Sequence, residues 1–237
     1  MTDLAAQLVV LADEPLPGRA GSGLTPPFSP REAAALAGAA LADTLEAVRR
    51  TRVVRRVVCL AGEPGPWLPD GFEVLIQRGR GLDERIAAAM WDTYAGLPLP
   101  MVLVGAGTPQ VTAGVLEAAT EPLARTMADA AFGPAASGGF WLFGLRRPDP
   151  DLTLGVPMGE AVTGRAQLVR LIQAGLRIHM TPELADVDTL AEAAQVARLA
   201  PASRFATTLA ATLGAPAELD EPAFGDWALG VPAPSFS

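Results

Sequence analysis

Two aspartates separated by one residue, Asp186 and Asp188 in Ala185-Asp186-Val187-Asp188-Thr189, are the acids best spaced for chemistry in this sequence. In extended backbone, alternate side chains point to one side, so the pair can offer hard oxygen ligands to a single divalent cation. The same residues also read as a helix start, with Asp188 and Thr189 as caps. Three glycine-bearing loops accompany them. The first runs from Pro15 to Leu24 and holds Gly18, Arg19, Gly21, Ser22 and Gly23. Its N–H groups and its guanidinium could meet an anion, or it is a plain surface loop. The second, Val104 to Pro109, places Gly105 and Gly107 after an apolar run. It lacks the third glycine of a dinucleotide fingerprint and the acid about 20 residues on, so a nicotinamide-dependent oxidoreductase is set aside. The third, Gly133 to Gly139, contains Ser137, Gly138 and Gly139, and its paired glycines permit close approach of a ligand. Gln77 and Arg85 stand near the end of a further apolar run, where a ligand could reach them.

Other chemistries are closed by what the sequence lacks. All 18 basic residues are arginine, which excludes a phosphate-loop lysine, a Schiff-base lysine and a lysine general base. The single histidine, His179, has no second histidine or cysteine partner and reads as a structural strand residue. The single cysteine, Cys59, sits between Val58 and Leu60 and reads as a small core residue; no intramolecular disulfide or multi-cysteine metal site exists. A net charge of −8 argues against a nucleic-acid surface. No stretch reaches the ~18 apolar residues of a membrane span. The first residues carry Asp3, Asp13 and Glu14 without a basic region, so a cytoplasmic location is expected.

The elements that must hold these loops are legible from periodicity. Gln7–Ala12, Arg56–Ala61, Phe72–Gln77 and Pro100–Gly105 are short apolar runs typical of strands buried on both faces. Between them, Ser29-Pro30-Arg31-Glu32 forms a capping box opening a helix to about Arg50, and a second helix spans about Leu82 to Tyr94. Thr108-Pro109 reads as the cap and first turn of a third helix running to about Thr120. Strands follow at Ala128–Phe132, Phe140–Leu145 and Leu176–Met180, with helices at Ala166–Gly175, from the Thr189/Glu192 capping box to Leu199, and over Pro201–Leu213. Alternating strands and helices imply a three-layer α/β/α domain with a mixed, mostly parallel sheet. One domain over 1–213 is expected, followed by a proline- and acid-rich tail over 214–237 whose Trp227 and Phe236 could dock on an apolar surface or a second subunit.

In order and spacing, these motifs resemble a bacterial family of GT-A-fold, glycosyltransferase-like proteins that includes those of arsenosugar biosynthesis. That family is similar to molybdenum-cofactor and phospholactate guanylyltransferases. The resemblance runs from about Leu8 to Leu199. It rests on Pro17-Gly18-Arg19, Ser29 to Ala34 with Leu41 to Leu45, Gln77 to Arg85, Gly105 to Pro109, Gly133 to Leu142 and Asp186 to Thr189. It implies a nucleotide-diphospho-sugar transferase fold, a nucleotide or nucleotide-sugar partner, and Mg²⁺ or Mn²⁺. It assigns donor contacts to Gly18, Arg19, Gly21, Ser22, Gln77, Arg85, Gly107, Ser137, Gly138 and Gly139, and catalysis and metal binding to Asp186 and Asp188.

The departures define the expected function. Gly21 and Gly23 stand where the family carries basic residues, Gly107 where it carries the strand-end aspartate, and Ser137 where it carries a further aspartate. Phosphoryl and glycosyl transfer depend on electrostatic stabilisation, so these losses imply a degenerate site with weak or altered transferase activity, in which no metal need be required. The alternative is a non-catalytic relative that binds a small ligand or protein partner through the old cleft. A homo-oligomer is compatible with either reading. Asp186 or Asp188 should lie within about 8 Å of Gly107, as ends of a former metal site.

Overall fold

The computed structural model describes residues 2–214; the expected tail beyond Gly214, with Trp227 and Phe236, lies outside the described residues. Seven strands form one sheet in the order β3-β2-β1-β4-β6-β5-β7. They are β1 (Leu4–Asp13), β2 (Val53–Ala61), β3 (Glu73–Ile76), β4 (Met101–Gly105), β5 (Ala130–Pro134), β6 (Phe140–Leu145) and β7 (Ile178–Met180). Every pairing is parallel except those of β6, which runs antiparallel to both β4 and β5. The described residues hold six α-helices, α1 (Pro30–Arg50), α2 (Leu82–Gly96), α3 (Ala113–Ala124), α4 (Thr163–Gln173), α5 (Leu190–Leu199) and α6 (Arg204–Thr212), of which the first four cover the sheet. This is the mixed, mostly parallel α/β/α arrangement that the alternating pattern implied. Among the described residues no helix is long and apolar enough to cross a membrane.

The continuous apolar runs are explained by two cores that share the same strands. Leu8, Val10, Val58 and Val104 point to one face and pack with Leu41, Leu45 and Val48 of α1 and Leu116 and Leu123 of α3. Their neighbours Val9, Val57 and Leu103 point to the other face and meet Ile86 and Met90 of α2 and Leu171 of α4. Cys59 belongs to this second core, where burial pushes its thiol pKa up to about 12; it stays protonated and unreactive. His179 pairs with Ala131 in the β5–β7 ladder and lies among structural residues.

Helix α1 is buried on two sides. Its outer side, with Leu36 and Ala40, receives Val196 of α5 and Phe205 and Leu209 of α6. The entry of α6 is fixed electrostatically: Asp43 of α1 accepts the N–H groups of Arg204 and Phe205 at 3.1 and 2.9 Å, which satisfies otherwise orphaned donors. The α1 capping box forms in full, with Ser29 and Glu32 accepting each other's N–H groups at 3.3 and 2.8 Å. The expected cap at Thr108 does not form. Helix α3 starts five residues later, its cap supplied by Thr112, whose hydroxyl accepts the Val115 N–H, while residues 106–112 turn back over the strand end. Pro109 suits a turn as well as a first helical residue, and local signals alone do not separate the two.

At the edge of the sheet opposite the glycine loops, one carboxylate ties three strands. Asp129, just before β5, accepts from Arg177 beside β7 at 2.8 and 3.0 Å, and Arg146 at the end of β6 approaches it to 3.6 Å. These arginines, Arg177 first, lower the Asp129 pKa to about 2, below the ~3.9 of an unperturbed aspartate. The contribution to stability is therefore complete above about pH 4 and lost as the pH falls toward 2. Asp129→Asn should lower stability at pH 7 and flatten the acid limb between those values, as read by urea unfolding at a series of pH values.

Candidate functional site

Strand β1 lies inside the sheet, flanked by β2 on one side and β4 on the other. The chain leaves β1 through α1 toward β2 and returns through α2 to β4, so the connections part at the carboxyl ends of β1 and β4. A crevice must open there. It is a cavity of about 450 Å³ lined by Leu11 to Asp13 of β1, Gly21 to Leu24 of the first loop, Gln77, Arg85, Gly105 to Gly107, and Val187 and Asp188. Gly107 and Asp188 therefore line one cavity.

A second cavity of about 290 Å³ adjoins it across β4, lined by Phe140, Trp141, Ser137, Gly139, Glu160, Thr163, Asp186 and Asp188. Leu11, Leu82, Gly105 and Asp188 line both cavities, so the two form one cleft with Asp188 at the junction. The antiparallel direction of β6 matters here, because it brings Phe140 and Trp141 to the same edge as the carboxyl ends of the parallel strands.

Asp186 and Asp188 reach the cleft on the segment leading to α5, where Thr189 is the cap and accepts the Glu192 N–H. The helix-start reading of this segment holds for Thr189, which alone takes the capping role. Asp186 accepts a short hydrogen bond from the Ser137 hydroxyl through one oxygen; its other oxygen, Oδ1, is buried without a partner. Asp188 is open to solvent by area, yet the surrounding cleft wall desolvates its carboxylate. Desolvation, and after it the charges of Asp186 and Glu192, raise its pKa.

On the opposite wall Gln77 is held rigidly, its amide donating to Ala12 and Cys59 carbonyls at 2.8 and 2.9 Å. Arg85 lies beside it, 3.5 Å from the Gln77 amide oxygen and 3.7 Å from Asp13, with its Nε buried and unpartnered. The sequence did not single out Asp13 or Glu160. The end of the first strand at a switch point was the available signal for Asp13; nothing local marked Glu160.

The glycines divide into two groups. At Gly105 and Gly107 an added Cβ meets nothing within 4 Å, so side chains there would project into open space. Gly21 and Gly23 are enclosed. Gly21 has φ +72°, and its Cβ would lie 2.5 Å from the Ala33 carbonyl oxygen; a Cβ on Gly23 would lie 2.8 Å from the Asp188 carbonyl oxygen. The first loop is packed against α1 and against the aspartate segment, leaving no room for side chains at Gly21 and Gly23. Gly18 and Arg19 line neither cavity; the exposed Arg19 pairs with Glu14 at 3.2 Å instead. Gly138 also lies outside both cavities. Its Cβ would fall 2.2 Å from the Ala161 carbonyl oxygen, and its own carbonyl accepts the Gly164 N–H at 2.8 Å. The close approach that this glycine permits is to the start of α4, not to the cleft.

Among the described residues, no cluster of three or more His, Cys, Asp or Glu side chains is arranged to hold a metal ion. The two aspartates nonetheless suit a hard cation that arrives with a phosphate ligand, since Mg²⁺ commonly takes one or two carboxylates and fills its shell with water and substrate oxygens. The unpartnered Asp186 Oδ1 is consistent with that donor set.

A family model described as an uncharacterized protein conserved in bacteria (DUF2064) matches residues 44–160. No curated protein sequence matches the chain. The crystal structure of a candidate nucleotide-diphospho-sugar transferase from Desulfovibrio desulfuricans G20 shares 25% identity over 90% of this chain and 95% of its own, with a TM-score of 0.77. A CMP:2-keto-3-deoxy-manno-octonic acid synthetase complexed with CTP shares 14% identity over 82% of this chain and 98% of its own, at 0.51. Rv0371c from Mycobacterium tuberculosis in complex with manganese shares 19% identity over 82% and 98%, at 0.50. The chain has the nucleotide-diphospho-sugar transferase fold.

Proposed function

We propose that the protein is a transferase of the glycosyl- or nucleotidyl-transfer type, with a nucleotide or nucleotide-sugar donor in the larger cavity and a reduced set of charged contacts. The observation that carries this reading is the continuous cleft at the β1/β4 switch point, with Asp188 shared by both cavities. Arg85 supplies positive charge on the donor side, and Gln77 presents a fixed polar group to a donor base or sugar. A divalent cation held by Asp186 and Asp188 would neutralise the donor phosphates. That one related structure contains manganese and another CTP supports this choice of partners.

In transfer from a nucleotide-sugar, an acceptor oxygen bonds to the anomeric carbon as that carbon's bond to the phosphate oxygen breaks. The nucleoside diphosphate leaves with the electron pair, and the acceptor's proton passes to a cleft carboxylate. Electrostatic support for the leaving phosphate is the reduced element here. Gly107 adds no carboxylate, and the packed first loop adds no cation, so turnover is slow or altered. The alternative, a non-catalytic binding module, draws on the same enclosed loop.

A thermal-shift panel of nucleotides and nucleotide-sugars, with and without Mn²⁺, tests the reading. A donor at 100 times its Kd should add about 2.7 kcal/mol, or roughly 5–10 °C for a chain of this size. The metal-dependent part should vanish in the Asp186→Asn/Asp188→Asn double variant. No shift from any nucleotide with metal would leave only the binding-module alternative.

The two groups of glycines give a second test. Gly107→Asp should fold normally and tighten Mn²⁺ binding in the presence of nucleotide, on the order of tenfold, because it adds a carboxylate to the cavity that Asp188 lines. Gly23→Ala, by contrast, should cost about 1–3 kcal/mol in urea unfolding because of its clash with backbone.

A further inference from the structure

The second cavity differs from the first in having no cationic side chain among its lining residues. Glu160, Asp186 and Asp188 contribute three carboxylates, and among the described residues no arginine or histidine lines it, whereas the first cavity has Arg85. The rest of its wall is largely apolar, including Phe140, Trp141 and Met158. The start of α4 lies beside it and is the one feature that could favour an anion. Three N–H groups at that end are already paired from within. The Thr163 N–H donates to the Glu160 carbonyl at 3.0 Å, and the Gly164 N–H to the Gly138 carbonyl at 2.8 Å. The Glu160 N–H donates to the Thr163 hydroxyl at 3.1 Å. A phosphate or carboxylate entering here would meet three like charges, no side-chain cation and no free donor among these three N–H groups.

We infer that the second cavity selects an uncharged, hydroxyl-bearing acceptor and rejects phosphorylated or carboxylated ones. The inference rests on the reading of the larger cavity as the donor side. Carboxylates suit hydroxyl donors, and the apolar wall suits the carbon face of a sugar or polyol. The Asp186 Oδ1, buried and without a partner, is an acceptor for one such hydroxyl when no cation occupies it. Charge therefore decides the acceptor class before shape does.

The test compares neutral and anionic members of one chemical series on the full chain, by ligand-observed NMR titration. Methyl glucoside, glycerol and ribose are the neutral probes; glucose 6-phosphate, glycerol 3-phosphate and gluconate are the anionic ones. At least one neutral probe should bind, with its anionic counterpart weaker by about tenfold or more. Glu160→Arg, an exposed loop substitution, should narrow that gap by admitting the anion. A phosphorylated probe that binds the unaltered protein as tightly as its neutral parent would overturn the inference, and so would a neutral panel in which nothing binds. The titration needs no nucleotide, so its result stands apart from the nucleotide thermal shift. Loss of that shift with the neutral preference intact would count against the donor reading alone.

Discussion

The structure depends on a single topological constraint, the parting of the chain on either side of β1. The sheet grows from β1 through β2 and β3 on one side and is then extended by β4 on the other, so the strand order reverses there and a gap is left at the carboxyl ends of β1 and β4. In this protein α1 and α3 cover one face and α2 and α4 the other, so the gap falls between layers. The glycine loops and the aspartate segment all converge on it. Their sequence separation is large, yet the sheet order makes them neighbours.

The loops that line the gap are not equally open. The first loop is packed onto Ala33 and onto the backbone of Asp188, a short-range van der Waals contact that orders the aspartate segment. Gly107 has no comparable enclosure, and the space beside it is open.

Much of the architecture was legible in the sequence because burial on both faces writes itself as uninterrupted apolar runs, as in Val57 to Leu60 and Met101 to Val104. The capping residues of α1 and α5 were equally legible, since their chemistry is local. The α3 start was misread at Thr108 because two threonines four residues apart, each followed by helix-compatible residues, offer the same local signal. The site was less legible, for a physical reason. Whether a glycine serves a ligand or a neighbouring backbone depends on what lies across from it. Gly107 and Gly138 look alike in sequence and have opposite surroundings. Arg19 shows the same limit, since its partner Glu14 is a matter of loop direction. Glu160 reaches the cleft only because the loop before α4 folds under β6, a long-range fact without a local trace.

The seam between Gly138 and Gly164 has a consequence for adaptability. Two backbones in direct contact, each with a carbonyl where the other's side chain would be, leave no slack for a loop to swing. The wall beside Asp186 is thus cast in advance, and any molecule it admits must conform to it. Diversification of what this protein accepts would then proceed by exchanging side chains on a fixed frame, and hardly at all by remodelling the frame itself.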